Sequence, residues 1–330
     1  TPTVIVGDKS LVSLVAHELA HSWSGNLVTF ATDKDAWLNE GFTSYVENRL
    51  VEALFGKDQA DMEAAIGRAE VVEEYKTLDP KLQRLALEPG DLADPDNSSS
   101  ATVYQKGAWF LSFLEQRFGR EVFDAWLKGY FDRHAFQSMT TARLVEDLQQ
   151  NLLATNPGKV TDAEIQEWVY GAGIPATAPK VESRRFITVD AARIAWTGSG
   201  MLPTQSITGA WSTQEWVRFL EGMPDALKPE QLRDWLCQIL DLKPEQLRQL
   251  DEAYTLTGTP NGEIAQRWYP LAERSGYTEA RAEMGMFLER VGRRKLIMPT
   301  YKALDETDGG LAFAQDVFAQ AKPGYHPITT

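Results

Sequence analysis

Near the start of the chain, His17-Glu18-Leu19-Ala20-His21 places metal donors at a helical spacing. Residues four apart lie on one face of a helix, so His17 and His21 present two imidazoles to a single ion. Glu18 stands beside the first of them, within reach of a water at that ion. Neutral imidazole suits zinc, at about 2.0–2.1 Å. A third ligand is needed, and a fourth position open to water separates a hydrolytic zinc from a closed structural one. Glu40 is the candidate. It follows His21 after eighteen residues, in Trp37-Leu38-Asn39-Glu40-Gly41, and opens a second amphipathic run from Phe42 to Phe55. The chain has only four histidines, two of them here. Leu11, Leu14, Val15 and Leu19 are expected to give the first helix its core face. One Zn2+ per chain is expected, on His17, His21 and Glu40, with Glu18 as general base and Glu47, one helical face from Glu40, as a partner of the histidines.

The elements that must position these groups are helical. Residues 10–25 and 39–55 read as the two metal-bearing helices, joined by a loop or hairpin edge over 26–35. Residues 57–77 continue the helical period, with Glu70, Glu73 and Glu74 as a solvated face. Glu88 to Ser100 reads as a long loop, and a long loop beside a catalytic helix pair is a functional candidate. It feeds an apolar helix that opens at Val103-Tyr104-Gln105-Lys106-Gly107. Three helical runs follow, at 121–131, 141–153 and 161–170. Thr161 and Glu164 have capping-box spacing. Glu182 to Thr204 reads as an extended linker with short strands.

A length of 330 residues fits two domains. The expected division is a catalytic domain over 1–178, a linker over 179–204 and a helical domain over 205–330. In the last, Leu-Lys-Pro-Glu-Gln-Leu-Arg occurs at 227–233 and again at 242–248. Proline followed by glutamate is a helix-start signature, and successive short helices of this kind point to a solenoid. A net charge of −14 argues against nucleic acid as a partner. No apolar run approaches the length of a membrane span. The single cysteine, Cys237, leaves no internal disulfide and reads as core. This fits a reducing cytoplasm, and a periplasm as well. His134 and His326 lack ligand spacing and read as surface or satisfied histidines.

The stretches HELAHSWSGNLVT (17–29) and WLNEGFTSYVE (37–47) resemble the gluzincin zinc aminopeptidases, within them the leukotriene hydrolase/aminopeptidase group. The resemblance runs over essentially the whole chain. It implies a mainly α fold: a thermolysin-like helical catalytic lobe, N-terminally truncated, then an armadillo-like helical domain. It implies hydrolysis of N-terminal residues from short peptides. Tyr104, in Tyr-Gln-Lys-Gly, matches the family's catalytic tyrosine, whose phenol can donate to an oxyanion. Asp96 matches an acidic residue lining the substrate channel. Ser99 stands where leukotriene hydrolase has a second tyrosine, which weakens a lipid-epoxide hydrolase reading of the same zinc. Gly292-Arg293-Arg294-Lys295 matches a pair, Arg293 and Lys295, that binds a substrate carboxylate. An extended segment would put these two on one side. The family also carries an upstream β domain and a Gly-x-Met-Glu-Asn segment, so a longer protein is expected. The remaining alternative is a helical scaffold with a non-catalytic zinc site.

Overall fold

The computed structural model describes residues 11–92, 100–223, 242–325 and 329. It is mainly α, and its contacts separate Val12–Arg184 from a second unit that contains Arg185–Thr330.

In the first unit, α1 (Val12–Ala20) packs on α2 (Trp37–Phe55). The core face expected of α1 is corrected. Leu14, Val15 and Leu19 are exposed, and Ala16 and Ala20 are buried instead. Side chains without bulk let α1 approach α2 closely, and the face so chosen is the one that carries both histidines. α3 (Lys57–Glu74) follows, then a π-helical turn (Thr102–Lys106) running directly into α4 (Gly107–Phe118). α5 (Arg120–His134), α6 (Thr141–Leu148) and α7 (Asp162–Tyr170) complete the unit. Thr161 and Glu164 do form the capping box of α7.

The core gathers Trp37, Phe42, Phe110, Phe123, Tyr130 and Trp168. Each fully buried phenylalanine contributes roughly 1.5–3 kcal/mol. Trp37 and Phe42 belong to α2, so the core fixes the rotation of that helix and therefore the direction of Glu40. The segment between α1 and α2 is not a hairpin. β1 (Thr29–Phe30) pairs in parallel with β2 (Ser138–Met139), far along the chain. Asp35, buried, accepts from the Thr141 amide at 2.8 Å and hydroxyl at 2.9 Å, and Trp37 Nε1 donates to the same hydroxyl at 2.9 Å. The head of α2 is thereby tied to the head of α6.

The second unit contains α8 (Arg184–Ser199), α9 (Gln205–Thr208), α10 (Thr213–Glu221), α11 (Pro244–Tyr254), α12 (Gly262–Arg274), α13 (Arg281–Arg290), α14 (Arg294–Asp305) and α15 (Gly310–Ala321). The extended linker expected over 182–204 is corrected by α8. Ile187, Thr188, Val189 and Ile194 favour strands locally. The buried set Phe186, Val189 and Trp196 recurs at helical spacing, and burial decides. Pro244 opens α11 as the repeat predicts. The other copy of the repeat, Cys237 and His326 lie outside the described residues. Trp196, Phe219, Trp268, Tyr269 and Leu288 form the core. Among the described residues no helix is long and apolar enough to cross a membrane.

Candidate metal centre and active site

α1 and α2 bring His17, His21 and Glu40 together, with one donor atom from each lying within 4.8 Å of the others. Glu40 Oε2 stands 3.1 Å from His17 Nε2 and 3.6 Å from His21 Nε2. Two ligands about 2.0–2.2 Å from a tetrahedral zinc lie about 3.4 Å apart. Glu40 therefore already stands from each imidazole nitrogen about as such an ion requires.

The far nitrogens of both rings are engaged. His17 Nδ1 lies 3.0 Å from Glu47 Oε2, the partner expected from the i+7 spacing on α2. His21 Nδ1 lies 2.9 Å from the Ser24 carbonyl oxygen, which can only accept, so the proton sits on Nδ1. Asn39 Oδ1 and Thr43 Oγ1 stand 3.2 Å from the same nitrogen. Each ring is thus oriented to offer Nε2, as ligating histidines generally are. The backbone passes so close that a β-carbon on Gly25, at φ +127°, would lie 2.7 Å from Asn39 Oδ1 and 3.2 Å from His21 Nδ1. Only glycine meets both the conformation and the space. Ser24, Asn39 and Thr43 were not singled out from sequence. Asn39 lies within the quoted Asn-Glu-Gly, but nothing in its spacing announces the contact.

Electrostatics agree with the geometry. Burial works against a charged His17, but hydrogen bonds to Glu40 and Glu47, and the charges of both, outweigh it and push its pKa up to about 9. A field that holds a proton there is one that a divalent cation neutralises.

Tyr104 sits in the π-helical turn, a form that recurs at functional sites, with its ring centroid 6.0 Å from that of His17. The turn is pinned by its neighbours. Lys106, fully buried, donates to the Gln83 and Gly171 carbonyls, each at 2.7 Å, and burial lowers its pKa to about 8. The Ala101 amide donates to Glu74 at 2.8 Å. A cavity of about 740 Å³ opens beside His17 and Tyr104, and Glu47, Glu70, Glu73 and Glu74 line it. The carboxylates expected to form a solvated face therefore border the site. Glu18 is exposed on α1, next to His17.

Asp96 and Ser99 lie outside the described residues. Arg293 is the N-cap of α14, and Arg294 and Lys295 form its first turn, so the segment is a helix start and not an extended strand. Successive cations are strongly exposed there, and none pairs with a carboxylate among the described residues. His134 is satisfied at Nε2 by Asp147, 2.9 Å away, as a structural histidine.

A helix pair that converges two imidazoles and a glutamate, each imidazole held from behind, is the architecture of a metallopeptidase lobe. The chain belongs to peptidase family M1: residues 4–168 match the peptidase family M1 domain, and residues 211–330 match the leukotriene A4 hydrolase C-terminal domain. It is 31% identical to leucine aminopeptidase 2 of Yarrowia lipolytica over 99% of this chain and 51% of that protein. It is 32% identical to leucine aminopeptidase 2-1 of Scheffersomyces stipitis, over 99% of this chain and 55% of that one. Native leukotriene A4 hydrolase from Saccharomyces cerevisiae superposes with a TM-score of 0.85 at 27% identity, covering all of this chain and 54% of its own. The chain spans about half the length of the curated relatives it matches.

Proposed function

We propose that the protein is a zinc-dependent aminopeptidase that removes N-terminal residues from short peptides. The observation that carries this reading is the convergence of His17 Nε2, His21 Nε2 and Glu40 Oε2 beside an acidic cavity that Tyr104 borders. The leucine aminopeptidase relatives support the choice of an exopeptidase. His17, His21 and Glu40 would hold a zinc ion, whose Lewis acidity would serve to polarise the scissile carbonyl and acidify water. Glu18 takes a proton from the attacking water, whose oxygen bonds the carbonyl carbon, and delivers it to the departing amine as the C–N bond breaks. The Tyr104 phenol donates to the carbonyl oxygen as it gains charge. The carboxylates around the cavity favour a substrate whose amino terminus is positive.

Arg293 and Lys295 are assigned to the free carboxylate of a short peptide. Exposed cations at the positive end of a helix, paired with no carboxylate among the described residues, favour an anion. Arg293→Ala is expected to weaken tripeptide hydrolysis far more than hydrolysis of an amino acid anilide, which has no carboxylate. Equal loss on both would remove that assignment. The whole reading is tested by zinc analysis of the purified protein together with turnover of an aminoacyl chromogenic substrate. One zinc per chain and chelator-sensitive turnover are expected, and metal-free protein with full turnover would sink it.

A further inference from the structure

We infer that Gly41 and Gly107 are positioning residues, whose direct backbone contact sets how close Tyr104 stands to the metal donors. The inference rests on the oxyanion role given to Tyr104 above. Gly41 follows Glu40 on α2, and Gly107 closes the π-helical turn that carries Tyr104. A β-carbon on Gly41 would stand 2.8 Å from Gly107 Cα and 3.2 Å from the carbonyl oxygen of Val103, the residue before Tyr104. A β-carbon on Gly107 would stand 2.8 Å from Gly41 Cα and 3.3 Å from Trp37 Cε3. Carbon atoms in good contact lie about 3.5–4.0 Å apart, so either methyl would force two backbones apart.

Neither side can yield cheaply. Trp37 is 1% exposed and bonded to Thr141, so α2 cannot retreat. The turn is held from behind by Lys106 on two carbonyls. The strain would therefore pass to the turn itself, and Tyr104 would move relative to His17. Gly67 of α3 touches the same turn differently. The three atoms nearest its β-carbon would be those of the Gln105 side-chain amide, and that amide can swing aside.

The experiment is a double-mutant cycle in the zinc-loaded holoenzyme, with zinc content and folding measured for every variant. Tyr104→Phe is expected to lower kcat about 10²-fold, the loss of one oxyanion donor. Gly107→Ala is expected to lower kcat by about 10–10²-fold with KM little changed, since small misplacements near the chemistry cost this much. In the Tyr104→Phe background, Gly107→Ala should add less than about twofold, because the two act through one group. Zinc content should stay at that of the wild type. A crystal structure of Gly107→Ala should show the His17–Tyr104 ring separation widened from 6.0 Å. Gly67→Ala should leave kcat unchanged. Additive losses, full activity of Gly107→Ala, an unmoved ring, or an equal loss in Gly67→Ala would each overturn the inference. If Gly107→Ala does not fold, Gly41→Ala presses the same contact from α2 and enters the same cycle. A fully active Tyr104→Phe enzyme would remove the oxyanion reading and this inference with it. Additivity alongside an impaired Tyr104→Phe enzyme would remove this inference only.

Discussion

Two places in the first unit gather histidine and carboxylate, and they are built oppositely. Around Asp147, nearly fully buried, Arg133 donates from Nε at 3.0 Å and from Nη2 at 2.8 Å, Trp126 Nε1 donates at 2.9 Å, and His134 Nε2 lies at 2.9 Å. Burial alone would raise the Asp147 pKa, but the hydrogen bonds from Arg133, His134 and Trp126 outweigh it and hold it below the usual carboxylate range. The Asp147 charge is matched by Arg133, both its oxygens are hydrogen-bonded, and the cluster ties α5 to α6. Around His17, two carboxylates face two imidazoles. Neither Glu40 nor Glu47 meets a lysine or arginine among the described residues. A balanced cluster is fully used in holding elements together. An unbalanced one retains the capacity to bind a cation. The presence of histidine beside a carboxylate does not separate the two cases; the missing arginine does.

The largest effect expected from this contrast is catalytic. Glu18→Gln should keep its zinc and lose roughly 10²–10⁴-fold in turnover, because the amide cannot accept a proton. Near-normal turnover would show that the base lies elsewhere. A crossed pair of variants then tests the contrast directly. Asp147→Ala should cost about 1–3 kcal/mol of stability in urea melts, chiefly by leaving the buried Trp126 Nε1 without its acceptor, and should keep its zinc. Glu40→Ala should lose zinc while its metal-free form melts near the metal-free wild type. The reverse pattern would erase the distinction. Glu47→Ala should weaken zinc binding about 10–100-fold in a competition titration against a chelator, as loss of a histidine's rear partner does. Unchanged affinity would make the Glu47 contact incidental.

The smallest expected effect is in acid. Asp147 has its pKa depressed in the folded state, so its contribution is present above its unfolded value, about 3.9, and is lost as pH falls through the folded one. Wild type should therefore lose stability relative to Asp147→Asn as pH is lowered below about 4. Parallel acid limbs for the two proteins would show that the cluster does not carry this linkage.

The sequence made the metal donors legible because a helix converts spacing into direction. His21 follows from His17 by i+4 and Glu47 from Glu40 by i+7, while Glu40 itself is found by its distance from His21 and its Asn-Glu-Gly setting. Tyr104 is placed by no such rule. It reaches His17 through a π-helical turn that no local residue pattern announces, and the resemblance to a family supplied it. Arg293 and Lys295 share one side only if their segment is extended, and it opens a helix instead. The extended reading of 182–204 and the leucine core face of α1 both give way to the faces that neighbouring elements bury, Val189 and Trp196 in α8 and Ala16 and Ala20 in α1, which a single sequence does not display. The Gly41–Gly107 approach was invisible for the same reason, since its two halves are read as unrelated motif positions.

The tie between the heads of α2 and α6 also bears on time. His17 and Glu40 are separated by 23 positions, but Asp35 and Thr141 by 106. A growing chain emerging from the ribosome displays both histidines and the glutamate long before Ser138, Met139 and Thr141 exist to pair with β1 and hold the start of α2. Contacts across such a span must overcome loop-closure entropy before they stabilise anything. The nascent protein thus passes through an interval in which it carries its donors before the segment that frames the head of α2 exists.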